Sequence, residues 1–68
     1  MTFMYADEVL VDLMKIEKLQ AHMLIDLFEN KYKEASKLCG KGKVFKTGPF
    51  RVIFIEEGSS ITVLRIVR

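Results

Sequence analysis

The chain changes its pattern of apolar and polar positions near residue 40. Residues 6–38 contain no Gly or Pro and are dense in Leu, Met, Glu and Lys, which lose little on entering a helix. Val9, Leu13, Ile16, Met23, Leu24 and Leu27 follow a 3.6-residue period, and Leu10, Met14, Ala21, Ile25, Phe28, Tyr32 and Ala35 form a second, broader stripe. One helix of about 33 residues would run to ~50 Å, longer than a small domain can pack, so the spacing predicts two. The polar pair Glu17-Lys18, with Gln20 interrupting the first stripe, puts the break at residues 16–19. Gly40 is expected to end the second helix, at the position just past the cap where a left-handed residue is favoured.

Beyond Gly40 the residues are Val, Ile, Phe and Thr, which fit a pleated sheet. Three strands are predicted, at residues 43–46, 50–56 and 61–67, joined by Gly48-Pro49 and by Glu57-Gly58-Ser59-Ser60. Residues 2–5 suit an added edge strand. Val52-Ile53-Phe54-Ile55 is apolar on both faces, so this strand should be central and covered on both sides. Two helices cover only one face, and a homodimer through the other face, or a bound segment, is the natural cover. The expected architecture is α+β: two N-terminal helices packed on a small antiparallel sheet of three to four strands.

Composition narrows the class. Sixty-eight residues leave room for a single domain, residues 1–68, and at this length folding buries only ~60% of the surface the unfolded chain exposes. Half of the residues are hydrophobic, 29% are charged and one is Pro, which is globular rather than disordered. One cysteine, Cys39, and one histidine, His22, allow neither an internal disulfide nor a Cys/His metal cage. Cys39 sits beside an expected helix end, where the dipole disfavours a thiolate, and reads as a small core residue. No apolar run approaches the ~20 residues that cross a bilayer, and Tyr5-Ala6-Asp7-Glu8 lacks a basic leader. The expected location is the cytoplasm, with no membrane partner.

Charge is asymmetric beneath a net +2. Residues 1–34 hold four Lys against seven Asp and Glu, net −3, whereas residues 35–68 hold seven Lys and Arg against two Glu, net +5. Such a basic half suits a polyanion, and a solvated positive face is the simpler alternative. Phosphate loops, dinucleotide glycine patterns, nucleophile elbows and metal-binding histidine pairs are all absent, so no cofactor or metal is expected. Gly40-Lys41-Gly42-Lys43 reads as a connector, His22 as a partly exposed helix residue, Glu56-Glu57 as turn chemistry and the four methionines as core filler.

The most informative set is Lys43, Lys46, Arg51, Arg65 and Arg68, with Phe45 and Phe50 interleaved. On a strand Arg51, Ile53 and Ile55 share one face and Phe50, Val52 and Phe54 the other. If the last hairpin turns at Gly58-Ser59, Arg65 or a neighbour falls opposite Arg51 and cations gather at one end of the sheet. Such an end suits a phosphate backbone, with aromatic faces for exposed bases. The competing reading pairs Arg51 and Arg65 with Glu56, Asp7 or Glu8.

Lys37-Leu38-Cys39-Gly40, Val44-Phe45-Lys46, Gly48-Pro49-Phe50-Arg51-Val52-Ile53-Phe54 and Ile61-Thr62-Val63-Leu64-Arg65-Ile66-Val67-Arg68 together resemble the C-terminal part of RelE/ParE-type toxins. Phe3 to Tyr5, followed by Ala6-Asp7-Glu8 opening a helix that contains Asp12-Leu13, fits the front of that family loosely. The resemblance implies two helices against a small antiparallel sheet, a small antitoxin chain as partner, and a target on the ribosome or at gyrase. In the RelE branch it implies metal-independent cleavage of mRNA on the ribosome. Matched by position, it makes Arg51, Lys46 and Arg68 the candidate catalytic residues, and Lys43, Lys46, Arg51 and Arg65 the candidate RNA-binding residues. The alternative is a non-enzymatic small interaction protein, of mobile-element or viral origin, that dimerises and binds a host protein or nucleic acid.

Overall fold

The computed structural model describes residues 1–38 and 40–68. In chain order the elements are β1 (Thr2–Tyr5), α1 (Asp7–Met14), α2 (Lys18–Lys31), a 3₁₀ turn (Tyr32–Glu34), β2 (Ser36–Lys37), β3 (Gly42–Thr47), β4 (Phe50–Glu57) and β5 (Ser60–Val67). The strands form one sheet in the order β1-β5-β4-β3-β2. β1 runs parallel to β5, and the other neighbours are antiparallel. The architecture is α+β as expected, with two corrections to the sheet. It has five strands rather than three or four, and the parallel β1 makes it mixed.

The helical region breaks at residues 15–17, overlapping the predicted 16–19. The Lys15 N–H donates to the Asp12 carbonyl at 3.2 Å, closing α1. The Glu17 carboxylate then accepts from the Leu19 N–H at 2.7 Å and caps α2. The predicted continuation of this helix to Leu38 is wrong. α2 ends at Lys31, Tyr32 turns into the core, and Ala35 is extended. Ser36 and Lys37 then pair with Val44 and Lys43. Helix propensity in residues 32–37 yields to the edge hydrogen bonds that β3 offers. Gly40 keeps its left-handed φ of 60°, but it turns the chain from β2 to β3 instead of ending a helix. The expectation for Cys39 lies outside the described residues.

Phe28 of α2 is the centre of the core. It is fully buried, and its ring meets Phe54 at 5.0 Å, Phe45 at 5.8 Å and Phe3 at 6.1 Å between centroids, each edge-on. Val9, Val52, Ile61 and Val63 close the layer between helices and sheet. A bulge opposite the Ile53/Phe54 step pairs Ile53 with Arg65 and Phe54 with Val63, leaving Leu64 extra. Val63 and Ile66 therefore both face the core although three positions apart. The four methionines are not core filler: Met1, Met4, Met14 and Met23 are all exposed, Met14 by 84%. β4 is central as predicted, but the helices cover only its Val52 and Phe54 side, and Ile53 and Ile55 are half-buried on the other. No helix among the described residues is long and apolar enough to cross a membrane.

Both long hairpins turn on two residues led by glycine, Gly48-Pro49 and Gly58-Ser59. Gly48 and Gly58 have φ of 55° and 58°, and no residue other than glycine has positive φ among the described residues, so only the first turn residue is left-handed, as in the type II′ turns that match strand twist. Phe28→Ala is expected to cost about 3–5 kcal/mol, a large share of the stability of any small domain, and urea denaturation will show it as loss of most or all of the folded baseline. Gly58→Ala meets no atom within 4 Å, so its cost is backbone strain alone, about 1–2 kcal/mol in the same assay.

Candidate functional site

One end of the sheet gathers the cations. Lys46 of β3 pairs directly with Arg51 of β4, and Arg51 pairs with Val67 of β5. Cross-strand partners share a face, so Lys46 and Arg51 stand together on the side away from the helices, both exposed. Arg68 follows Val67 at the same end, and its guanidinium lies 5.3 Å from the centre of the Phe50 ring. Lys46, Arg51 and Arg68 have no carboxylate partner among the described residues. Two like charges directly opposite on a ladder repel, and an anion bound between them would remove that cost.

The other two predicted residues are already engaged. Arg65 lies opposite Ile53 rather than Arg51, and its Nε and Nη2 donate to Asp12 at 2.9 and 3.1 Å. Its partner is thus none of Glu56, Asp7 or Glu8. Lys43 lies on the helix side near the far end of the sheet, where its Nζ donates to Glu56 at 2.8 Å. Lys41 and Glu57 make a third pair at 2.8 Å, exposed on both sides. The five basic residues therefore divide into three at one end of the sheet without a carboxylate partner among the described residues, Lys46 and Arg51 on the outer face and Arg68 on the helix side, and two that are held by carboxylates.

Asp12 is the one buried charged residue among those described. Besides Arg65 it accepts the Ile66 backbone N–H at 3.0 Å. β1 leaves β5 at Ala6, whose N–H donates to the Val63 carbonyl, so the rest of the β5 edge has no strand beside it. The carboxylate supplies the missing acceptor. The hydrogen bond from Arg65 holds the Asp12 carboxyl below its ordinary range, the Ile66 N–H and the charge of Lys15 act in the same direction, and burial opposes them.

Beside this tie, Asp12, Lys15, Phe50, Arg65, Val67 and Arg68 line a cleft of ≈ 260 Å³. Lys15 was not among the residues the sequence singled out, since it belongs by position to the acidic half. It reaches the cationic end because α1 stops above the end of β5. His22 is exposed on α2, and the described residues contain no cluster of His, Cys, Asp and Glu that could hold a metal. Away from the cleft, the Tyr5 hydroxyl donates to the Glu29 carboxylate; burial, and then this bond, raise the Tyr5 pKa.

No protein-family model matches the sequence, and no curated protein matches it. Solved structures do. A chain of the RelBE2 toxin–antitoxin complex from Mycobacterium tuberculosis superposes with a TM-score of 0.84 at 12% identity, over 98% of this chain and 88% of that one. A chain of the RelB–RelE antitoxin–toxin complex from Methanococcus jannaschii superposes with a TM-score of 0.71 at 16% identity, over 96% and 88%. The protein thus shares the fold of chains found in RelB–RelE complexes.

The Asp12 tie has a defined pH dependence. With the folded pKa below the unfolded value of ~3.9, its contribution is complete above about pH 4 and is lost as pH falls through the depressed value. Asp12→Asn is expected to be about 2 kcal/mol less stable than the parent at pH 7. The difference should narrow as the pH approaches 2, which denaturation at a series of pH values will measure.

Proposed function

We propose that this chain is the toxin of a toxin–antitoxin pair and that it acts on RNA through the Lys46, Arg51 and Arg68 end of its sheet, inhibiting translation by ribosome-dependent cleavage of mRNA. The observation that carries the reading is the direct cross-strand placement of Lys46 and Arg51 on the outer face, with Arg68 at the same end of the sheet over Phe50 on the helix side, and no carboxylate paired to any of the three among the described residues. The fold shared with chains of RelB–RelE complexes supports it, as does the resemblance of residues 37–68 to RelE/ParE-type toxins. A small antitoxin chain is the partner this reading requires.

In this reading Arg51 holds the scissile phosphate, Lys46 opposite it offsets the negative charge that builds as the neighbouring 2′-hydroxyl attacks, and Arg68 supports that charge from the helix side of the sheet end. The new bond joins O2′ to phosphorus, the bond from phosphorus to O5′ breaks, and the hydroxyl proton ends on the departing O5′. Cations arranged in advance stabilise that charge without a metal ion. Arg65 and Lys43, tied to Asp12 and Glu56, serve as outlying contacts to the RNA backbone.

A second reading, a binding module without catalysis that dimerises through the outer sheet face, has one observation in its favour. Ile53, Ile55 and Leu64 are only half-buried there, with no helix over them. Purified protein added to cell-free translation separates the two. The toxin reading expects new mRNA 5′ ends that require ribosomes and fall at least ~100-fold with Arg51→Ala, the usual loss when one stabiliser of developing charge is removed. Intact mRNA together with a dimer in light scattering would overturn it in favour of the binding module.

A further inference from the structure

We infer that the cleft between the C-terminal end of α1 and the end of β5 is a second phosphate subsite for single-stranded RNA, completed by Lys15. The inference rests on the RNA-binding reading above and extends it from the outer face of the sheet to the helix side. Lys15, Arg65 and Arg68 line the cleft against a single carboxylate, Asp12. That carboxylate is already occupied, with Oδ1 accepting from Arg65 and Oδ2 from Arg65 and the Ile66 N–H. An incoming anion therefore meets a surplus of positive charge rather than a free acid.

The donors are available. Arg65 spends two of its five N–H groups on Asp12, and its side chain remains 51% exposed. Arg68 lies over the Phe50 ring, a contact that leaves its in-plane N–H groups free for a phosphate. Lys15 is exposed and has no carboxylate bonded to it among the described residues. At ≈ 260 Å³ the cleft has room for a phosphate group.

Position joins the cleft to the outer site. Arg51 is opposite Val67, and Arg68 is the next residue along, so a cationic path runs from Lys46 through Arg51 and Arg68 around the end of β5 to Lys15. A backbone following that path places successive phosphates on both sides of the sheet end.

The test is fluorescence anisotropy with a 5′-labelled oligouridine 12-mer, titrated between 50 and 300 mM KCl. On single strands each phosphate contact adds about 0.7 to the slope of log affinity against log salt. Lys15→Ala is expected to flatten the slope by about 0.7 and to weaken binding about fivefold at 0.1 M salt, with Lys15→Arg restoring both. Lys18→Ala, which removes the same charge from the groove between the helices, should leave the slope unchanged. If Lys15→Ala behaves like Lys18→Ala while Arg51→Ala still flattens the slope, the cleft is not a subsite and the RNA reading stands. Absence of binding by the parent protein would overturn both. Circular dichroism of Lys15→Ala, and a parallel Lys15→Gln variant, keep a folding defect from imitating a lost contact.

Discussion

The arrangement of helices on this sheet depends on one carboxylate. β1 is four residues long and covers only the first half of the β5 edge, so the second half must be satisfied by something that is not a strand. Asp12 does this from α1 by accepting the Ile66 N–H while holding Arg65. A helix that must deliver a carboxylate to a particular backbone N–H has little freedom to slide or rotate. α1 is thereby set against β5, its last turn stops over the cationic end, and Val9 reaches the core one turn before Asp12. The bulge at Leu64 belongs to the same device, because it turns Ile66 inward and leaves Arg65 outside, beside the acid.

Charge is distributed by the same logic. In the basic half the two carboxylates, Glu56 and Glu57, are used near the Gly58 turn by Lys43 and Lys41. Asp12 takes Arg65. The opposite end of β3 and β4 is left with Lys46 and Arg51 together on the outer face, and with Arg68 and Lys15 on the helix side of the same end. A net charge of only +2 conceals this, since Lys15, Lys46, Arg51 and Arg68 lie at one end of the sheet and the acidic residues lie mostly on the helices. The local field, rather than the total charge, selects what can approach.

The two faces of the sheet differ in kind. The inner face is finished by Phe28, whose ring meets aromatic neighbours from β1, β3 and β4. The outer face keeps Ile53, Ile55 and Leu64 half-buried, with the Lys46–Arg51 pair at its border. Two short helices cannot wrap five strands, so one face is covered and the other stays half-buried.

Much of this was legible in the residues themselves. Period-3.6 and period-2 patterns located both helices and all three long strands, and Gly48-Pro49 and Gly58-Ser59 marked turns that need a left-handed first residue. The gathering of cations at the Arg51 end of the sheet followed from alternation and hairpin pairing, both local rules, although the β5 residue opposite Arg51 is Val67 and not Arg65. Three features did not follow: β2 replacing the end of a helix, β1 joining β5 in parallel, and the engagement of Arg65 by Asp12. The last two depend on partners far away in sequence, 53 residues in the case of the Asp12–Arg65 bond, and β2 depends on the edge that β3 offers once it is paired with β4. Local pattern determined which segments are helix or strand and which face of each is apolar. Only the tertiary structure decided which edges meet, because edge hydrogen bonds and ion pairs depend on spatial neighbours that periodicity does not encode.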